Sequence, residues 1–194
     1  MKKNLFILFI FVGCYNQSMA QFIRNNYVRL CDDCFVNIEA GAFIPTFSGL
    51  KNASTGVGYG ISFYNYEDLK TDKPLFLRYG LTMNIISVEF DDVERNNYKI
   101  LGSIMDLSVH YRNRNGYQAF GGVNLESNFT SPDPGSEDAI EFLTYGLFGG
   151  FGLIISENIE INFKYNLGLR NISKNPNQKF KKNYFGVSLG YSFF

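Results

Sequence analysis

From residue 35 to the C-terminus the chain alternates apolar side chains with glycine or polar ones at a period of two, in eight separate segments. Successive side chains of a strand point to opposite faces, so each segment carries one apolar face and one face of another kind. The cleanest case sets Ile159, Ile161, Phe163, Tyr165, Leu167 and Leu169 against Glu160, Asn162, Lys164, Asn166, Gly168 and Arg170. Segments 101–112 and 184–193 are equally regular, and 36–44, 57–64, 75–85, 117–126 and 142–155 repeat the pattern with more noise. No stretch of useful length shows the 3.6-residue spacing of an amphipathic helix, so the fold class is all-β.

The connections alternate in length. Asn113 to Gly116 and Ser156 to Asn158 read as tight turns, the first with an Asn115-Gly116 pair expected to adopt type I′ geometry. Glu67 to Pro74 is a slightly longer turn, whereas Pro45 to Gly56, Ser87 to Asn97, Phe129 to Asp138 and Asn171 to Lys182 are long and polar. Three short and four long connections suit eight antiparallel up-and-down strands with the short turns gathered at one end.

Alternation alone does not say which face is inside. The non-apolar face does, because a water-exposed sheet would fill it with Lys, Glu and Thr, and here glycine recurs instead: Gly58, Gly60, Gly80, Gly102, Gly122, Gly146, Gly150, Gly152, Gly168, Gly186 and Gly190. Glycine weakens a strand and needs a packing reason. A narrow eight-stranded barrel supplies one, since its interior only just holds side chains and must mix small with large. Phe76, Phe120, Phe142, Phe148, Tyr64 and Tyr184 are the expected large partners. The apolar face then meets lipid: about 12 residues at about 3.3 Å each, tilted by about 40°, rise roughly 30 Å, enough for the apolar band of about 25 Å in such barrels. Tyr59, Tyr79, Tyr111, Tyr117, Tyr145 and Tyr165, with Phe163 and Phe185, are girdle candidates. Glu39, Arg78, Asp106, His110, Arg112, Glu126, Glu160, Lys164 and Arg170 are expected in the lumen, where a charge network needs both signs. With 18 basic and 18 acidic residues the net charge is zero, which argues against a nucleic-acid partner, and 45% hydrophobic content excludes a disordered chain.

Met1 to Ala20 has the form of a secretory signal peptide: Lys2 and Lys3, an apolar run from Leu5 to Val12, and small residues at Ser18 and Ala20. Residues 21–34 then form a short periplasmic segment, and 35–194 the barrel domain. The competing reading makes Cys14 a lipidated N-terminus. Cys31 and Cys34 form a CxxC without the βαβ context of a redox centre or two further zinc ligands, so a local disulfide or two idle thiols is expected.

The signal peptide, the eight alternating segments and the ending Gly190-Tyr191-Ser192-Phe193-Phe194 together resemble the small outer-membrane β-barrel proteins of Gram-negative bacteria, the OmpA/OmpX-like and porin-like group. The resemblance implies an eight-stranded antiparallel up-and-down transmembrane β-barrel, integral to the outer membrane. It implies that Tyr191, Phe193 and Phe194 are the signal read by the outer-membrane barrel assembly machinery. Outer-membrane lipid and lipopolysaccharide are its expected surroundings, with no cofactor and a monomeric state.

Three function classes follow. The first is a structural or surface-interaction barrel acting on an unidentified partner through its long loops, of which 129–138 is acidic (Asp133, Glu137, Asp138) and 171–182 basic (Lys174, Lys179, Lys181, Lys182). A basic rim suits lipopolysaccharide phosphates, while solvated loop charge is the plainer reading. The second is a lipid A-modifying enzyme using Ser108 and His110. Positions i and i+2 lie about 7 Å apart along a strand, so no catalysis is expected, and His110 is expected to be satisfied near Asp106 or Glu126. The third is a narrow channel or small-ligand barrel, which the expected interior rings disfavour. Asp91, Asp92 and Glu94 lack the spacing of a calcium loop.

Overall fold

The computed structural model describes residues 34–48, 53–90, 96–113, 115–130, 141–173, 179 and 181–193. The signal peptide, the 21–33 segment with Cys31, the acidic loop residues, the Asp91 cluster and Phe194 lie outside the described residues. The strands are β1 (Cys34–Ser48), β2 (Ala53–Thr55), β3 (Gly58–Asp68), β4 (Leu75–Phe90), β5 (Asn96–Arg112), β6 (Tyr117–Thr130), β7 (Leu143–Ile154), β8 (Ile159–Gly168) and β9 (Lys181–Phe193). β1 pairs with β3, each later strand pairs with the next, and β9 returns to β1, every pairing antiparallel. This is a closed eight-stranded barrel, with β2 a short extra strand on the far end of β4. Closure removes the unpaired edges that would be untenable in lipid.

The period-two pattern places side chains as the alternation requires. Leu101, Met105, Leu107, Val109 and Tyr111 are exposed on the outside of β5, while Gly102, Ile104, Asp106, Ser108 and His110 are buried on its inside. The strands outrun the alternation at the long-loop end, however. β4 and β5 stay paired to Phe90 and Asn96, so most of the expected 87–97 loop is ladder. Polar residues there end the apolar pattern without ending the strand.

The turn after β5 differs in type from expectation. Gly116 has φ +84°, and the turn closes back on Asn113 rather than around the Asn115-Gly116 pair alone, so this is not a two-residue type I′ loop. The Gly116 amide donates to the Asn113 carbonyl at 3.1 Å, and the Asn113 side chain accepts from the Asn115 amide at 3.1 Å. A side-chain turn followed by a left-handed glycine suits a loop longer than two residues.

The polar core is arranged by strand register. Cβ atoms built at Gly80, Gly122 and Gly150 would lie 2.1 Å from a neighbouring strand's carbonyl oxygen. At Gly80 and Gly150 the next obstacle is a ring, Tyr64 or Phe120, at 2.5 Å. These glycines are the floor on which the interior rings lie.

Candidate functional site

The barrel offers two surfaces with chemistry, a lumen and a lipid-facing wall. In the lumen, four ion pairs among the described residues are stacked from the short-turn end to the long-loop end. Arg112 meets Glu160 at 2.5 Å, Arg78 meets Glu39 at 3.0 Å, Lys164 meets Asp106 at 2.7 Å, and Lys182 meets Glu126. Each acid has its own base, which is the condition for burying charge without an uncompensated member.

The lower two pairs are tied together. Asn162 donates to Glu39 at 3.1 Å and to Glu160 at 2.9 Å, and the Arg78 guanidinium donates to the Tyr66 hydroxyl at 3.2 Å. Arg78 also lies 3.4 Å above the centre of the Tyr64 ring, a cation–π contact in a dry site. Rings close this half: Phe35 stacks on Tyr66 at 4.5 Å, and His110 stacks on Phe120 at 4.6 Å with the edge of Tyr66 at 5.1 Å. In the upper half, Asp106 also accepts from the Tyr64 hydroxyl at 2.8 Å, Asn124 donates to Asn166, and Lys182 donates to Asn128 at 3.1 Å.

One expected lumen residue falls elsewhere, and two others have unexpected surroundings or partners. Arg170 is not in the lumen: β8 ends at Gly168, the alternation stops constraining it there, and Arg170 sits exposed at the long-loop rim, 3.4 Å from Glu141. Lys182, which reads in the sequence as part of a basic loop, lies inside β9 with a side chain only 4% exposed. His110 is buried, yet its partners are Ser108 and Gln118 rather than Asp106 or Glu126. The expected 7 Å separation of Ser108 and His110 does not hold for their side chains: Ser108 Oγ lies 3.1 Å from His110 Nε2. Side chains on one face lean along the strand and close the backbone gap. This pair is sealed between Tyr66 and Phe120, and the third member is an amide, Gln118, at 3.4 Å. Of the expected plugs, Tyr64, Tyr184, Phe120 and Phe148 are buried and Phe76 and Phe142 half-buried; Phe35, Phe43, Phe47 and Tyr66 join them. Phe35, Phe47 and Tyr66 lie near strand ends, outside the alternating segments, whereas Phe43 lies within 36–44 on its inward face, opposite Gly58 and Gly186.

The outer wall is apolar around the whole barrel, with Ile61, Met83, Leu107, Leu147 and Leu189 among its exposed members. Tyr111, Tyr117, Tyr191 and Phe193 lie toward the short-turn end, and Tyr59, Tyr145 and Phe185 toward the long-loop end. An apolar exterior around a charged interior is the reverse of a water-soluble barrel and is stable only with lipid outside.

At the long-loop end the ladder loosens beside β9. The β8–β9 pairing stops at Asn166 and Tyr184, while β9 continues to Lys181 against β1. The Asn183 side chain fills the gap, accepting from the Gly168 amide at 3.0 Å. The Cys34 side chain is outside the described residues. Tyr191 and Phe193 pack edge to face at 4.8 Å on the outer surface, and Ser192 between them is tied to Asn158 and Asn37.

No protein-family model and no curated protein sequence matches the chain. Solved structures do. Neisserial surface protein A superposes with a TM-score of 0.53 at 13% identity, covering 81% of this chain and 97% of that one. The outer-membrane protein OprG from Pseudomonas aeruginosa gives 0.48 at 15% identity, covering 82% and 95%. The attachment invasion locus protein Ail of Yersinia pestis gives 0.43 at 10% identity, covering 82% and 97%. The first likeness shows a shared fold, and with the apolar wall it makes the chain an integral outer-membrane β-barrel.

Proposed function

We propose that this barrel is a structural and surface-interaction protein, anchored by its wall and acting through the rim and loops at its long-loop end, with neither catalysis nor transport in its lumen. The observation that carries this reading is the filled lower lumen, where the Arg112–Glu160 and Arg78–Glu39 pairs and the Phe35, Tyr66, His110 and Phe120 rings occupy the cross-section. A substrate or ion entering from either end meets closed pairs and stacked rings, so the variable chemistry of the molecule lies on its rim. Lipopolysaccharide and an unidentified surface partner are the partners of that rim. The assembly machinery is the partner of the last strand through Tyr191, Phe193 and Phe194, and the working unit is a monomer.

Cysteine-free protein carrying a single introduced cysteine at Asn171 should be labelled by a membrane-impermeant maleimide on intact cells, and one at Thr71 should not. Labelling at Thr71 alone would reverse the orientation and defeat the reading. Planar bilayers containing the purified barrel should show no steady conductance steps.

The enzyme reading draws on one specific observation, the 3.1 Å contact of Ser108 with His110. Lipid A mass spectra from expressing cells should match those from cells expressing His110→Ala. A modification present with the native chain and absent with the variant would replace the interaction role by an enzymatic one.

A further inference from the structure

At the β8–β9 gap one ladder ends short of the long-loop rim while β9 continues against β1. A small pocket there is lined mainly from the inside, by Glu126, Thr144, Asn166, Gly168 and Lys182, and reaches the rim at Arg170. Lys182 is buried against Glu126, whereas Arg170 is exposed, so the accessible charge of this place lies at the rim. Gly168 keeps it narrow: a Cβ there would lie 2.3 Å from the Lys182 carbonyl oxygen.

Two features of this place point to one class of ligand. The first is charge that is available. Among the described residues Arg170 is held by an exposed 3.4 Å pair with Glu141, which is weak and readily exchanged. Lys181 is exposed on the outer side of β9, one residue from Lys182. Guanidinium and ammonium groups at a membrane rim suit a phosphate, which Arg binds through two parallel hydrogen bonds. The second is unoccupied relief in the wall below. Four residues along β7 from Tyr145, roughly 13 Å at 3.3 Å per residue, Gly149 pairs with Gly121, and Tyr165 stands beside it. The nearest neighbour of a Cβ at Gly149 would be 3.5 Å away and at Gly121 3.7 Å away. Unlike the inward glycines, these two are not required by anything inside the chain, and glycine in a strand with no internal reason marks close approach from outside.

We propose that Arg170 and Lys181 at the β8–β9 gap form a binding site for the phosphate of an outer-leaflet glycolipid of the lipid A type, whose acyl chain lies across Gly149 and Gly121 beside Tyr165. This deepens the rim reading above and rests on the long-loop end facing the cell exterior.

Purified barrel, folded in non-ionic detergent, would be incubated with diphosphorylated lipid A, with dephosphorylated lipid A, with phosphatidylglycerol or with inorganic phosphate, and bound molecules counted by native mass spectrometry. Diphosphorylated lipid A should stay on the barrel and the dephosphorylated form should not. The double variant Arg170→Gln, Lys181→Gln should lose at least about tenfold in retention, the effect of removing two charge-assisted contacts. Lys70→Gln at the opposite end should lose nothing. Gly149→Val should fold and retain less lipid, which separates the acyl groove from rim charge. Equal retention of dephosphorylated lipid, or by the double variant, would overturn the site; equal retention of phosphatidylglycerol would overturn the choice of glycolipid, and competition by inorganic phosphate alone would overturn the acyl groove. Failure of these arms with native surface labelling intact defeats the site alone, whereas loss of that labelling defeats the orientation on which it rests.

Discussion

Gly121 and Gly122 are adjacent in the chain and answer to opposite constraints, as do Gly149 and Gly150. Gly122 and Gly150 face the lumen, where a Cβ would collide with a neighbouring strand at 2.1 Å. Gly121 and Gly149 face lipid, where the nearest atom to a Cβ would be at ordinary contact distance. The same residue therefore does two jobs one position apart. Inside, it lets strands and rings close on one another; outside, it lowers the wall. The barrel's interior is set by packing to a tolerance of tenths of an ångström, and its exterior only by apolarity.

The largest expected effect breaks that comparison directly. Gly122→Val or Gly150→Val forces a side chain against backbone, which cannot move aside as a flexible side chain can, so the cost should reach or exceed the roughly 3 kcal/mol upper end of ordinary overpacking. Neither variant should give a heat-modifiable folded band in detergent. Gly121→Val and Gly149→Val should fold like the native chain, within about 0.5 kcal/mol. A folded Gly150→Val would mean that the lumen is looser than its geometry implies.

The next effect compares charges instead of glycines. Arg78→Ala leaves Glu39 buried without its base and should cost about 3–5 kcal/mol in urea unfolding from lipid vesicles. Replacing both, Arg78→Met with Glu39→Met, should recover much of that loss, because the penalty comes from the orphaned charge more than from the missing attraction. If the double variant is as unstable as the single one, Arg78 acts mainly through its rings, Tyr64 at 3.4 Å above all.

How much of this was legible follows from what alternation reports. It reports facing, and it placed Asp106, His110, Glu126 and Glu160 inside and Leu107, Leu147 and Tyr165 outside, where they lie. It does not report where a strand ends. Arg170 reads as interior because it follows Leu169 in phase, but the strand stops at Gly168, and phase means nothing beyond it. Lys182 was missed for the mirror reason: it reads as part of a basic loop, yet β9 begins at Lys181 and phase then drives Lys182 inward to Glu126. Nor does alternation report contacts along one face, so the Ser108–His110 contact was lost to a backbone distance that the side chains bridge. The β8–β9 gap lay beyond reach, because it arises from unequal strand lengths, which are a property of pairs.

A smaller effect tests the short-turn end of the β8–β9 ladder. Asn158 donates its amide to the Ser192 carbonyl at 2.8 Å, and its own carbonyl accepts from the Ser192 amide at 2.8 Å, so one residue of the β7–β8 turn stands in for the next rung of the β8–β9 ladder. Asn158→Ala keeps the backbone bond and loses the other, a net loss of about 1 kcal/mol measured as a lowered urea midpoint.

The smallest effect returns to the two solvents. Arg170 with Glu141 is an ion pair like the four in the lumen, but its side chains are 41% and 33% exposed. Water already solvates both charges there, and holding two long side chains together costs entropy, so the pair should contribute at most about 1 kcal/mol and less as salt is raised. Arg170→Gln should leave the unfolding midpoint almost unchanged at physiological ionic strength. The same substitution made at Arg112, only 11% exposed against Glu160 at 2.5 Å, should lower it clearly. If Arg170→Gln proved as damaging as Arg112→Gln, the rim around β8 would have to be as dry as the lumen. The β8–β9 gap could then not admit a ligand from outside, and the lipid site would fail together with the contrast between interior and rim.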